Sequence, residues 1–260
     1  MRADFLDWSN IQADDLPACD YCRSLRRVRG DYPVRHPNFG QMERCPVCGP
    51  LAVRRRMQAT YREKTDRINQ YTCLEGRAEE QTFGNFSLRR DEGKNTNSVR
   101  IAFAQAKMFA ADPTNFLVLH GTRGVGKSHL VAAIANKLRD SDEDFPPIPL
   151  IFVVPELLEL LRSGYDNGDY QEMLGLCKNV DVLILDDLGT ESETGWAFEK
   201  LFQIINYRYQ RQLPTVIVTN CDLNELEPRL HSRLASDENM VVEVEASDYR
   251  QLEREPGLVL

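Results

Sequence analysis

No stretch of about 18 consecutive apolar residues occurs anywhere in the 260-residue chain, which excludes a membrane-spanning helix. The first eight residues, Met1-Arg2-Ala3-Asp4-Phe5-Leu6-Asp7-Trp8, are acidic and hold no apolar segment of the signal-peptide kind. A cytoplasmic location is therefore expected. A basic surplus is also missing: 32 Lys and Arg stand against 40 Asp and Glu, a formal net charge of −8. Averaged over the chain, that balance argues against a protein that coats nucleic acid. Apolar residues are not scarce, at 42% of the chain, so a packed core is affordable and whole-chain disorder is excluded.

The average charge hides a split. Residues 21–70 carry 12 basic and 4 acidic side chains, whereas residues 81–260 carry 18 and 28. A basic N-terminal segment is joined to an acidic body. The same basic segment holds four of the seven cysteines, or adjoins them, as two pairs: Cys19-Asp20-Tyr21-Cys22 and Cys45-Pro46-Val47-Cys48. A two-residue gap lets both thiolates of a turn reach one ion, and two such turns complete a tetrahedral sulfur shell for Zn²⁺. The competing reading, a pair of redox motifs, is weakened because neither pair opens a strand–helix–strand unit. His36, between the pairs, could replace a ligand, but with four cysteines available it reads as a surface residue or one that supports a ligand from behind. Residues 51–70 contain no Gly or Pro and read as a helix, either a solvated connector or a surface on which Arg54, Arg55 and Arg56 meet phosphate or a partner. The expected organisation is a zinc-ribbon-like module at 1–50, a basic helical linker at 51–80 and a nucleotide-binding domain at 81–260.

The chemistry of the body starts at Gly121-Thr122-Arg123-Gly124-Val125-Gly126-Lys127-Ser128, which fits the pattern GxxxxGK[ST]. An apolar strand, Phe116-Leu117-Val118-Leu119-His120, precedes it and a helical run from His129 follows. Glycines let the loop curl so that successive N–H groups, from Gly121 to His129, face phosphate oxygens, and the helix N-terminus adds a favourable dipole. Lys127 is expected on the β- and γ-phosphates and the Ser128 hydroxyl on Mg²⁺. A second strand, Val182-Leu183-Ile184-Leu185, ends in Asp186 and Asp187. Carboxylates at the C-terminal end of a parallel strand lie where open α/β sheets bind ligands. Asp186 is expected to share the Mg²⁺ and Asp187 to polarise the attacking water. A third strand, Thr215-Val216-Ile217-Val218, runs into Thr219-Asn220, and Asn220 is a candidate for the γ-phosphate or that water. Asn220-Cys221-Asp222 lacks the Lys of a guanine-reading motif. Arg229 and Arg233 are four apart, so a helix puts both on one face, either to reach a neighbouring molecule's phosphates or to pair with Glu225 or Glu227.

With these parts in this order, residues 80–254 resemble the AAA+ ATPases of the DnaC/DnaI helicase-loader and IstB transposition-helper group. Thr82-Phe83-Gly84-Asn85-Phe86, the phosphate loop, Leu185-Asp186-Asp187-Leu188-Gly189, the run from Phe202 to Tyr209, Val218-Thr219-Asn220 and Arg229-Leu230-His231-Ser232-Arg233-Leu234 carry the likeness. The resemblance implies an α/β, three-layer αβα fold with five parallel strands ordered 5-1-4-3-2 and a truncated lid. It implies sensor-1 at Asn220, an arginine finger at Arg233 acting in trans within a self-assembly, a secondary interface arginine at Arg229 and a sensor-2 arginine at Arg250. It further implies ATP and Mg²⁺ as ligands, with a replicative hexameric helicase and single-stranded DNA as partners. Residues 163–177 resemble the segment that initiator-type relatives hold near single-stranded DNA, with Arg162, Tyr165, Tyr170 and Lys178 as candidate contacts; the other reading is a linking helix with a Gly-rich turn, and Asp166 and Asp169 oppose a strong electrostatic funnel. The alternative within the group is an ATPase helper of a DNA transposase. The Cys₄ element favours the loader. Cys73, Cys177 and Cys221 read as packing thiols.

If the four paired cysteines hold zinc, the purified chain carries a single zinc ion by atomic absorption. A Cys22→Ser/Cys48→Ser double variant then carries none; zinc retained by that variant contradicts the assignment.

Overall fold

The three apolar runs seen in the sequence, joined by a run near residue 150 and another near residue 241, become the strands of one parallel sheet. The computed structural model describes residues 49–72, 76–88, 97–141, 145–189 and 195–248. Cys19, Cys22, His36, Cys45, Cys48, Cys73 and Arg250 lie outside them. The chain divides into two compact units, Met1–Lys64 and Thr65–Leu260. Of the first, the described part is the beginning of a long helix, α1 (Gly49–Asn69), whose residues include Arg54, Arg55 and Arg56. No helix among the described residues is long and apolar enough to cross a membrane.

The second unit alternates strand and helix. Helix α2 (Asn97–Ala111) leads to β1 (Phe116–His120), then α3 (Lys127–Arg139), β2 (Pro149–Val153) and α4 (Val154–Asn167). Next come α5 (Tyr170–Asn179), β3 (Val182–Leu188), α6 (Gly195–Gln210), β4 (Thr215–Thr219), α7 (Pro228–Leu234) and β5 (Met240–Glu243). The sheet order is β2-β3-β4-β1-β5, which counted from the β5 edge is 5-1-4-3-2. All four pairings are parallel. Leu117, Val118, Leu119, Leu183, Ile184, Val216 and Ile217 are buried on both faces of the sheet, as a parallel sheet covered by helices requires. Two consequences of this order fix the functional region. The C-terminal end of β4 lies between those of β1 and β3. The phosphate loop therefore leaves β1 directly beside Asn220, with Asp186 and Asp187 one strand further on.

The β3–β4 ladder contains an irregularity that apolar patterning does not reveal. Leu185 pairs with Ile217, but the next pairing is Leu188 with Thr219. Three steps on β3 therefore match two on β4, the signature of a bulge. Asp187 takes φ of +62°, in the left-handed region that Asp tolerates better than most side chains. On an uninterrupted strand, neighbouring side chains face opposite sides of the sheet. The extra residue lets both carboxylates serve one place.

A buried arginine ties the opposite end of the sheet together. Arg208, at the end of α6, is fully buried. Its Nη1 donates to the carbonyls of Cys177, Lys178 and Val180 at 3.2, 3.2 and 2.9 Å, its Nη2 to Pro214 O at 2.6 Å and its Nε to Thr215 Oγ1 at 2.8 Å. Three of those acceptors belong to the C-terminal end of α5, where helix carbonyls otherwise lack partners. Burial lowers its pKa to about 10, still far above neutrality, so the guanidinium stays charged. Arg208→Ala is expected to cost about 2–4 kcal/mol, because the acceptors remain buried after the donor is gone. Arg208→Met, which restores volume but no donor, should recover little of this. A urea midpoint for Met equal to wild type would show that packing alone matters here.

Candidate functional site

The loop between β1 and α3 is shaped by positions where a side chain cannot stand. Gly121 has φ of +128°, and a Cβ there would lie 2.3 Å from Val244 O. Gly124 and Gly126 have φ of +74° and +101°. Lys127, the first residue of α3, is almost wholly buried. Its ammonium donates to Gly121 O at 2.8 Å, Thr122 O at 2.7 Å and Asn220 Oδ1 at 2.8 Å. All three protons thus have acceptors.

From there the network runs along the strand ends. Asn220 Nδ2 donates to Asp187 Oδ1 at 2.6 Å, and the Asp187 N–H donates to Asp186 Oδ1 at 2.9 Å. Ser128 hydrogen-bonds the Asp186 side chain. Burial raises the Asp186 pKa, opposed by the Ser128 and Asp187 hydrogen bonds. Burial likewise lowers Lys127 to about 8, although Asp186 and Asp187 pull the other way. The site therefore brings Lys127, Ser128, Asp186, Asp187 and Asn220 into one connected set. A carboxylate and a hydroxyl side by side are hard oxygen donors of the kind Mg²⁺ prefers, and a desolvated carboxylate gains from a cation. The residues present fit that ion.

His129 has a role beyond its backbone. Its Nε2 lies 3.0 Å from Thr82 O and 3.1 Å from Asn85 Oδ1, both acceptors, so this nitrogen carries the proton. Phe86 meets the His129 ring edge-on at 5.1 Å and lies against Gly126. Deeper along α3, Asn136 Nδ2 lies within 3.2 Å of the carbonyls of Ala78, Glu79 and Gln81. The incoming segment is thereby fastened to the phosphate-loop helix. The sequence contained a signal for this in Thr82-Phe83-Gly84-Asn85-Phe86, but not the part played by Asn136. Arg123 is exposed in the loop.

Arg229 and Arg233 do share one face of α7. The Arg229 guanidinium lies over Phe198 and Phe202 at 4.9 and 4.8 Å and pairs with Glu227 at 3.0 Å. Arg233 lies 5.8 Å from both Phe202 and Tyr209 and donates to Asn206 Oδ1 at 3.1 Å. Arg229 is thus engaged with a carboxylate of its own chain, whereas Arg233 is held by neutral groups. Around residues 163–177, Tyr165 and Tyr170 stack at 4.1 Å, and Arg162 lies 5.0 Å from the Trp196 ring. Lys200 lies 5.5 Å from the Tyr170 ring. Tyr170 is buried, while Tyr165 is 51% exposed. Of the two tyrosines, Tyr165 is the one with an open face. Trp196 and Lys200, unremarkable in the sequence, belong to the same cluster. Lys178 lies over Tyr207 at 5.4 Å, near enough to Lys200 for the two charges to oppose each other. Cys177 is buried, its pKa pushed up to about 12 by desolvation, and is inert as a nucleophile.

A parallel α/β sheet with this loop, a buried lysine and carboxylates at adjacent strand ends defines the class: an AAA+ P-loop fold built to bind a nucleotide. Comparison with known proteins narrows the class, since the profile described as "IstB-like ATP binding protein" matches residues 58–241. The chain belongs to that IstB-like family. It is 35% identical over 112 residues to the replicative helicase loader DnaI of Bacillus subtilis (strain 168), a match covering 43% of this chain and 35% of that protein. With the replicative helicase loader DnaC of Escherichia coli (strain K12) it is 29% identical over 119 residues, 45% of this chain and 47% of the relative. It thus spans less than half the length of both relatives. A crystal structure of DnaI superposes with a TM-score of 0.56 at 27% identity, covering 67% of this chain and 96% of that one.

The depressed Lys127 pKa gives a testable pH dependence. A phosphate beside the ammonium raises its pKa above about 8, so nucleotide binding takes up a proton around and above that pH. Affinity is full below about pH 8 and falls as pH rises through it. Calorimetry at pH 8.5 in buffers of different ionisation enthalpy should detect proton uptake, absent in Lys127→Arg. A flat affinity from pH 7 to 9.5 contradicts it.

Proposed function

We propose that this protein is an ATPase that delivers a replicative hexameric helicase to single-stranded DNA, using ATP binding and hydrolysis as its switch. The single observation that carries this reading is the connected set Lys127–Asn220–Asp187–Asp186–Ser128 in a chain similar to two replicative helicase loaders.

Lys127 exchanges its carbonyl acceptors for phosphate oxygens, which are stronger partners for an ammonium. Ser128 and Asp186 hold Mg²⁺, which supplies charge neutralisation at the transferred phosphoryl group when bound. Asp187, fixed by Asn220, accepts a proton from the attacking water. Arg233 reaches a neighbouring subunit's nucleotide. The exposed face of Tyr165, with Arg162 and Lys200 beside it, supports a stacking contact with single-stranded DNA. Zinc at the four paired cysteines is supported by their spacing.

Membership in an IstB-like family keeps a second reading open, an ATPase helper of a DNA transposase. Mass photometry with ATP and the host's replicative helicase separates the two. A complex at micromolar concentration supports the loader. Its absence, with duplex-dependent filaments in negative-stain micrographs, supports the helper.

Hydrolysis has its own test. Lys127→Ala should slow phosphate release by at least about a hundredfold, the scale of losing one fixed transition-state donor. Arg233→Ala should do likewise. Mixing the two inactive variants should restore part of the activity, because one interface then pairs an intact Lys127 with an intact Arg233. No recovery on mixing contradicts action in trans.

A further inference from the structure

Beyond β5 the chain does not leave the site but turns across it. Val244 N donates to His120 O at 2.7 Å. Glu245 exchanges hydrogen bonds with Ser98 on α2, its N–H donating to Ser98 Oγ and its carbonyl accepting from it, both at 3.0 Å. Ala246 packs against the core beneath. The strap so anchored carries a carboxylate onto the phosphate loop. A Cβ on Gly124 would lie 1.9 Å from Asp248 Oδ1 and 3.0 Å from Oδ2, so the carboxylate is in contact with that glycine.

Residues 121–128 form an anion-binding turn, with backbone N–H groups, Arg123 and the α3 N-terminus all favouring negative charge. A carboxylate held against Gly124 lies within reach of the attraction that phosphates would use. Two anions in contact at one half-buried place repel strongly, because water screens them poorly. We propose that Asp248 is a tethered anion competing with nucleotide phosphates for this loop, so that nucleotide binding displaces the strap of residues 245–248. The inference rests on the nucleotide reading of the loop. A competitor on the same chain lowers apparent affinity by the fraction of molecules in which it is docked. It also makes the position of the strap a report of whether phosphates are bound.

The test uses the full chain with ATP and with inorganic pyrophosphate, measured by calorimetry. Asp248→Asn keeps the size and polarity and removes the charge; Asp248→Ala removes the contact. Both variants should bind ATP and pyrophosphate roughly tenfold more tightly than wild type. In wild type, hydrogen exchange at residues 244–248 should rise on adding ATP. Equal or weaker binding by the Asn variant, or exchange that stays flat or falls, overturns the proposal while leaving the nucleotide site intact. Binding by neither wild type nor variant removes the nucleotide reading, and this inference with it.

Discussion

A buried ammonium sets the terms for everything around it. Lys127 is 4% exposed and carries three protons, so the fold must place three oxygen acceptors within reach. Two come from the loop that leaves β1 and one from Asn220 at the end of β4. That arrangement exists only because β4 lies beside β1 in the sheet. Sheet order is therefore a condition of the site as well as a feature of the core. The acceptors are neutral, and burial still drives the lysine down to about 8. Its environment compensates desolvation incompletely, which leaves it with more to gain from a charged oxygen than an exposed lysine has.

The two carboxylates show how one backbone irregularity converts a strand into a site. Asp186 and Asp187 are adjacent in sequence, which on a regular strand separates their side chains across the sheet. The bulge between Leu185 and Leu188, with the positive φ of Asp187, removes that separation. Asp186 then meets Ser128 on one side while Asp187 meets Asn220 on the other. Left-handed backbone at a non-glycine residue is locally unfavourable. It occurs also at Asn115 and at Gln212, in an exposed turn, but only at Asp187 does it fall among the residues proposed to act on nucleotide.

Much of this was legible in the residues themselves. The glycine spacing before Lys127 has few structural uses other than cradling phosphate, and the buried strands advertise themselves as continuous apolar runs. Asn220 was a candidate only because three other parts stood in order around it. What escaped notice depends on long-range packing. Arg208 looks like any arginine near a helix end, yet it caps α5 from thirty residues away. Asn136 sits in an alanine-rich helix with no motif about it, and its partners lie more than fifty positions upstream. Tyr170 matched a stacking pattern, but its neighbour Tyr165 covers it, a relation that residue type cannot convey. The bulge has no apolar signature at all, since it changes direction without changing composition.

The charge balance gains a mechanical meaning in this light. A body with 28 acidic side chains against 18 basic ones can bind a polyanion only where local geometry outweighs the average. The phosphate loop is such a place, and Asp248 is the acid that the chain itself lays against it. Coupling between two ligands of one protein is reciprocal. If phosphates displace the strap, then a partner that draws residues 245–248 off the loop must tighten nucleotide binding by the same factor. A helicase or DNA contact on that segment would then need no communication through the core. It would act by withdrawing a competing anion, and the strength of the coupling would be set by how firmly Ser98 and His120 hold the strap in place.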